Sequence, residues 1–296
     1  MTTRLIRRRR FTLLLLLLAI AATPRPGTAG PFAPAPTVLG YTGAITVNSP
    51  EVLAPGQGRV GLMAYGASGS VGNRVDILLG EDPAADALTQ IRWAVAVGLP
   101  ARIEAAVTAP YVNVQANDVS TDGVGDTTLS VKHRVWNQRG WRPALAASAT
   151  WVGETADKLE IGSVSTNGYL ATLSGELDLA SGEHRWSVVT ELGGFWRDPG
   201  RPESDSALVY GVAVVVPLGR AGLLEDAGEL QLIAEASGTS ARRSAAHEPD
   251  DALSFVPGIR FLADSWGVTA GVVVTNFERT GKESGAGGLV DVYVTF

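Results

Sequence analysis

The sequence contains no cysteine and only three histidines. The absence of cysteine excludes disulfide bridges, thiol catalysis and attachment of a lipid to a cysteine. The histidines, His133, His184 and His247, belong to no HExxH metal motif, and the chain has no GxSxG nucleophile elbow. Since histidine-based triads have few candidates here, the sequence predicts a non-enzyme with no catalytic residue, no metal site and no cofactor.

Long apolar runs are missing after the first thirty residues. The run Phe11–Ala22 spans about 12 residues and is too short for a membrane helix, which needs about 20. It follows the basic residues Arg7–Arg10, and small residues after it offer a cleavage site at Gly27-Thr28-Ala29, with Ala19-Ile20-Ala21 as an earlier alternative. This pattern predicts a secretory signal peptide over residues 1–29.

Basic residues become scarce once that leader is removed. Residues 30–296 carry 18 Lys and Arg against 30 Asp and Glu, a net charge near −12. An acidic balance of this size argues against nucleic acid as a partner.

Short segments with a two-residue period fill the remainder of the chain. In Gly123–Trp151 the apolar residues alternate with polar ones on both sides of a turn at Asn137–Gly140, which predicts a β-hairpin with two different faces. About twelve such segments follow from Arg59 onward, each near the 9–11 residues of a tilted membrane strand. Long and short connections alternate between them, with a long polar loop predicted over Tyr111–Val124.

These features predict an all-β fold, a transmembrane antiparallel up-and-down β-barrel of about 12 strands over residues 59–296. We expect it in the bacterial outer membrane, with both barrel termini on the periplasmic side. Residues 30–58 are rich in proline and glycine and contain a candidate short strand at Tyr41–Val47. We interpret them as a periplasmic lead-in or as a plug within the barrel.

The final segment carries a candidate assembly signal. Alternate residues fall on one apolar face up to the terminal phenylalanine: Gly288, Val290, Val292, Val294 and Phe296. This pattern resembles the terminal signal by which the barrel assembly machinery recognises outer-membrane strands.

Charged residues on the opposite faces of the strands are predicted to line the lumen. The first strands contribute a mainly basic set: Arg92, Arg102, Glu104, Lys132, Arg134 and Arg142. Later strands contribute a mainly acidic set: Glu176, Asp178, Arg185, Glu191, Glu235, Arg260 and Asp291. Two walls of opposite sign either pair across a narrow interior or bias the solutes that pass through it.

The blocks Gly123–Lys132 and Arg139–Leu145 resemble a family of bacterial outer-membrane proteins associated with transport in the meta-pathway of phenol degradation. Ser49–Glu51, Pro55–Gly58 and Gly98–Glu104 also resemble that family. The resemblance implies a transporter-like barrel, with Lys132 and Asp126 as structural or pore residues.

Three functional hypotheses remain at this stage. The first is a monomeric channel or transporter for small molecules, aromatic or hydrophobic ones among them. The second is a structural or adhesive barrel with a plugged lumen that acts through its external loops, and the third, weaker one is an outer-membrane hydrolase. The partners expected in each case are outer-membrane lipid, lipopolysaccharide and the assembly machinery, with a small-molecule solute for the channel.

The lumen prediction can be tested with the double variant Lys132→Ala/Arg134→Ala. Because two positive charges leave the predicted pore, we expect the ion selectivity of single channels in a planar bilayer to shift. A folded, inserted protein without conductance would contradict an open pore.

Overall fold

The barrel closes because the first strand pairs with the last. The computed structural model describes residues 36–37, 40, 43–68, 87–116, 119–153, 155, 167–181, 184–197, 206–219, 228–242, 251–276 and 285–296. Every strand pairing among them is antiparallel, and the result is a closed 12-stranded β-barrel. Within these residues no helix is long and apolar enough to cross a membrane.

Thirteen strand segments build the wall. In chain order they are β1 Gly58–Ser68, β2 Ala87–Leu99, β3 Ile103–Ala116, β4 Val119–Val124, β5 Thr128–Trp136, β6 Ala144–Val152, β7 Gly168–Ser181, β8 His184–Arg197, β9 Ser206–Gly219, β10 Glu229–Arg242, β11 Asp251–Leu262, β12 Trp266–Asn276 and β13 Gly285–Thr295. A 3-10 turn, Pro100–Arg102, joins β2 to β3.

The segments β4 and β5 are two parts of one barrel strand, which gives twelve strands around the wall. Both pair with β3, β4 along its second half and β5 along its first. Between them the Gly125 N–H donates to the Pro110 carbonyl at 2.9 Å. Pro110 has no N–H to continue the ladder, which accounts for the break at this point.

The loop predicted over Tyr111–Val124 is therefore wrong in its extent. β3 continues to Ala116 and β4 returns from Val119, so this region is mostly a strand hairpin. Its polar residues misled the prediction, because the backbone ladder between β3 and β4 does not require apolar side chains, and polar ones pair across it, as where Asn113 donates to the Ser120 hydroxyl at 3.2 Å.

The ends of the barrel differ. β1 begins and β13 finishes at the same end, which we call the terminus end, and the Gly58 N–H donates to the Phe296 carbonyl there at 2.8 Å. The opposite end, which we call the loop end, carries the connections from β1 to β2 and from β6 to β7. Short connections such as Pro100–Arg102 and residues 263–265 lie at the terminus end, and the two-residue connection between β3 and β4 lies at the loop end.

The outer face of the wall is apolar along the middle of the strands. Leu129 and Val131 of β5 are 49% and 46% exposed, whereas the intervening Ser130 is fully buried, so the two-residue period sorts apolar side chains outward. Trp136, Trp186 and Trp266 lie at strand ends near short turns, as expected for an interfacial girdle. Trp93 lies mid-strand and points outward, 57% exposed.

The last strand also presents its alternate residues outward. Val290, Val292 and Val294 are all exposed on β13, on the face predicted to carry the assembly signal. Phe296 follows the strand and is half-buried.

A charge at the middle of this outer face should destabilise the barrel. We expect Val290→Arg to lower the free energy of unfolding by about 2–4 kcal/mol, the cost of arginine facing lipid at the bilayer midplane. Urea titration of protein reconstituted in lipid vesicles measures this change, with Val290→Leu as the control. Equal stability of the two variants would contradict a lipid-facing position.

Candidate functional site

The interior of the barrel holds a piece of its own chain. Residues 43–57, which we call the inner segment, precede β1, and residues 43–50 of this segment are all buried. Its described residues form bends with an isolated bridge between Gly43 and Asn48, so the strand predicted at Tyr41–Val47 does not appear over residues 43–47. The local bonds instead close a turn, in which the Ala44 N–H donates to the Val47 carbonyl at 2.9 Å.

Three inward carboxylates accept hydrogen bonds from main-chain N–H groups of the inner segment. Glu235 of β10 accepts from Ile45 and, at 2.8 Å, from Thr46. Glu191 of β8 accepts from the Asn48 N–H at 3.0 Å. Glu104 of β3 accepts from the Leu53 N–H at 2.9 Å.

Side chains of the inner segment add to these bonds. The Thr46 hydroxyl donates to Glu235 at 2.8 Å and lies 3.2 Å from the Ser237 hydroxyl of β10. The carboxamide of Asn48 donates to Glu191 at 2.7 Å. Together with the main-chain bonds, these contacts hold the segment against the β8–β10 wall.

Three inward cations bind main-chain carbonyls. Arg59 of β1 donates to the Gly40 carbonyl at 2.7 Å, and Arg260 of β11 donates to the Ala44 carbonyl. The ammonium of Lys132 on β5 lies 3.3 Å from the Ser49 carbonyl. The charged wall therefore contacts both polar groups of the backbone, the N–H and the C=O.

One aliphatic side chain of the inner segment fills a notch in the wall. Ile45 is 3% exposed, and its Cδ1 would lie 2.5 Å from a Cβ added at Gly258 and 3.2 Å from one added at Gly271. These glycines are register partners on β11 and β12. Any larger residue at Gly258 would push against Ile45.

The inner segment leaves the lumen beside the β2–β3 turn. The N–H groups of Gly56 and Gly98 donate to the carbonyls of Gly98 and Gln57, each at 2.9 Å. A Cβ at Gly98 would stand 2.0 Å from the Ala54 carbonyl oxygen, so only glycine fits this crossing.

Glu104 is the centre of a buried charge cluster. It lies 3.3 Å from the Arg59 guanidinium and 3.9 Å from the Lys132 ammonium. All three side chains are at most 2% exposed, and buried charges need such partners because desolvation is costly.

Glu51 of the inner segment approaches the same cluster. Burial raises the pKa of the Glu51 carboxyl, and the positive charges of Arg134 and Lys132 lower it by a smaller amount. The position of Glu51 beside the wall therefore favours its protonated form.

The remaining predicted lumen residues occupy different places. Arg92 and Asp291 are buried on the inner wall, and Arg134 and Glu176 are half-buried. Arg102, Arg142 and Asp178 are exposed at or near the turns of the terminus end, where the Arg142 guanidinium lies 4.5 Å from the centre of the Trp136 ring. The side chain of Arg185 lies outside the described residues.

Sequence reasoning missed Arg59 and the inner segment as parts of one site. Arg59 is the second residue of β1 and fits the inward period, so the alternation itself could have identified it. The contacts of the inner segment could not be identified in this way. Thr46 and Asn48 do not belong to a strand, so no two-residue alternation assigns their side chains to a face or to a neighbouring strand.

The inner wall changes character toward the loop end. A cluster of buried apolar side chains lies there: Tyr65, Leu88, Val112, Val114, Leu170, Phe195, Val209 and Leu289. Buried polar side chains such as Gln90, Thr150 and Thr239 lie at the same end. Ala44, Ile45 and Val47 of the inner segment belong to the apolar cluster.

No group of three or more His, Cys, Asp or Glu that could hold a metal ion occurs in the described part of the chain. Asp126, one of the two positions carried over from the family resemblance, is buried and accepts from the Thr155 N–H at 3.0 Å.

Comparison with known proteins gives likeness in fold. No family model matches the chain, and no curated protein matches it. An outer-membrane channel from Pseudomonas putida F1 is similar, with a TM-score of 0.56 and 13% identity over 83% of this chain and 97% of that chain. Two further solved structures are similar. LpxR from Salmonella typhimurium has a TM-score of 0.48 and 10% identity over 80% of this chain and 99% of that chain. The β-domain of the Bordetella autotransporter Brka has a TM-score of 0.49 and 10% identity over 79% of this chain and 98% of that chain.

The closed wall, the apolar outer face and the likeness to the channel define the class of the protein, which is a bacterial outer-membrane β-barrel. No family model confirms the resemblance to the phenol-pathway family, so that resemblance stays a prediction.

The hydrogen bonds of the inner segment should protect its amides from exchange. We expect Glu235→Ala to accelerate hydrogen–deuterium exchange at Ile45 and Thr46 more than at Leu53, since each lost acceptor leaves a buried donor unsatisfied at about 1–3 kcal/mol. The matched variant Glu104→Ala should accelerate hydrogen–deuterium exchange at Leu53 more than at Ile45 and Thr46. Uniform acceleration in both variants would mean that the segment is not held by separate contacts.

Proposed function

We propose that the protein is an outer-membrane channel for small solutes whose lumen is closed by the inner segment acting as a plug. The observation that carries the proposal is the set of hydrogen bonds that backbone N–H groups of residues 45–53 donate to Glu235, Glu191 and Glu104. A segment that hydrogen bonds and apolar packing hold against the wall, with no covalent cross-link to it, can be released and rebound.

The hydrophobic cluster toward the loop end supports a solute with apolar character. An aromatic or hydrophobic molecule entering from outside would contact side chains such as Phe195, Leu170 and Val112 before it reaches the inner segment. The P. putida protein of similar fold is described as an outer-membrane channel, which agrees with transport as the general activity.

The structural or adhesive barrel is the second candidate. The burial of residues 43–50 favours it as well, because a permanently plugged lumen would have the same contacts. The two proposals differ in whether the inner segment moves. No described constellation of side chains favours the hydrolase hypothesis, and we do not propose it.

A reversible covalent lock distinguishes these candidates. The hydroxyl oxygens of Thr46 and Ser237 lie 3.2 Å apart, and the chain has no cysteine of its own, so the variant Thr46→Cys/Ser237→Cys can form one disulfide between plug and wall. We expect the oxidised variant to show no single-channel openings, and the reduced variant to open as the wild type does.

The variant Ser254→Cys/Thr275→Cys is the matched control. The hydroxyl oxygens of these residues lie 3.0 Å apart on β11 and β12, so the control disulfide joins two strands of the wall and leaves the plug free. It should conduct in both redox states. Openings of the oxidised Thr46–Ser237 variant would refute gating by the plug, and silence of every variant, wild type included, would favour the structural barrel.

A further inference from the structure

The charged wall binds the backbone of the inner segment more than its side chains. Glu104 accepts from the Leu53 N–H, and Arg260 and Lys132 bind the carbonyls of Ala44 and Ser49. Arg59 donates to the carbonyl of Gly40, three residues before the inner segment. A site that recognises a backbone recognises a chemical class, since every peptide carries the same N–H and C=O groups.

Two neighbouring strands hold one peptide group from both sides. The carbonyl of Ala44 accepts from Arg260 on β11, and the N–H of Ile45 donates to Glu235 on β10. These atoms belong to the same peptide bond, so the pair Arg260 and Glu235 recognises an amide through its acceptor and its donor together.

Glu191 recognises a second amide a few residues further on. One of its carboxylate oxygens accepts from the Asn48 main-chain N–H at 3.0 Å and the other from the Asn48 carboxamide at 2.7 Å. Three or four residues of chain span the distance from Glu235 to Glu191, which sets the length of a peptide that could contact both.

Release of the inner segment would remove these bonds from buried charged groups. An incoming molecule that supplies N–H donors and carbonyl acceptors at the same spacing offsets that loss, whereas an apolar molecule cannot. The notch between Gly258 and Gly271 adds a place for one aliphatic side chain.

We propose that the surface formed by Glu191, Glu235, Arg260 and the Gly258 notch is a binding site for short peptides, which occupy it in place of residues 44–48. The inference rests on the proposed function, in that the plug must leave its site. Because the contacts are made with the backbone, binding depends on the amide N–H groups and only weakly on side chains, apart from a preference for an aliphatic residue at the notch.

The test uses the full-length protein with the plug weakened on its own side. The variant Ile45→Ala/Asn48→Ala removes contacts of the inner segment and leaves every wall residue unchanged. Isothermal titration calorimetry with Ala-Val-Ala-Ala-Ala, which matches residues 44–48 in length, should show binding to this variant. The same peptide methylated at the nitrogens of its second and fifth residues should bind at least about tenfold more weakly, a loss of about 1.4 kcal/mol, because it lacks the donors that correspond to Ile45 for Glu235 and to Asn48 for Glu191.

Two further variants in the plug-weakened background locate the site. Glu235→Gln should weaken binding of the unmodified peptide by a similar factor, because a carboxamide is a poorer acceptor than a carboxylate. Glu229→Gln, which changes a carboxylate of β10 that accepts from Gln231 at 2.9 Å and lies outside the site, should leave the affinity unchanged. The folded state of each variant is checked by the mobility of unheated protein on a detergent gel.

The outcomes separate this inference from the proposed function. No binding by a folded variant, equal binding of the methylated peptide, or equal effects of the two wall substitutions would overturn the peptide site, whatever the disulfide lock shows. Binding that is lost when the Thr46–Ser237 lock is oxidised and regained on reduction supports it. Because calorimetry needs no ion flow, binding without conductance would keep the site and reject the channel.

Discussion

The structure depends on the need of buried charged groups for hydrogen-bond partners. The two-residue period that puts leucine and valine against lipid puts Glu104, Glu191 and Glu235 into the lumen, where they are at most 3% exposed. A carboxylate in that position is costly unless donors reach it. The inner segment supplies the donors as main-chain N–H groups, and the wall in turn fixes a segment that has almost no regular structure of its own.

The contacts of the inner segment depend on prior folding of the wall. Membrane strands are stable only when the wall closes, since an open edge in lipid leaves backbone groups unsatisfied. Closure brings β3, β8 and β10 around a common interior, and only then do their carboxylates converge on residues 45–53. The contacts that we propose for gating are thus a product of the closed barrel. In the proposed gating, these non-covalent contacts break while the backbone ladders keep the wall closed.

The wall was largely predictable, and the interior only in part. Alternation over Thr128–Trp136 and Ala144–Val152 identified the strands and their outward faces, because lipid imposes one simple rule on every second residue. The same alternation placed Lys132 and Glu235 inward. It failed where other forces act: Arg102 and Arg142 lie at turns, and Tyr111–Val124 is a hairpin although its composition is that of a loop.

The sequence by itself determined an outer-membrane barrel of about twelve strands, because a period of two, strand length and the apolar face are local properties of the chain. Tertiary structure alone decided which charges meet. Glu104 forms ion pairs with Arg59 and Lys132. Glu235 accepts from the N–H groups of Ile45 and Thr46, which lie 190 and 189 residues away in the sequence. Register and closure set those distances, and neither is encoded in any single segment.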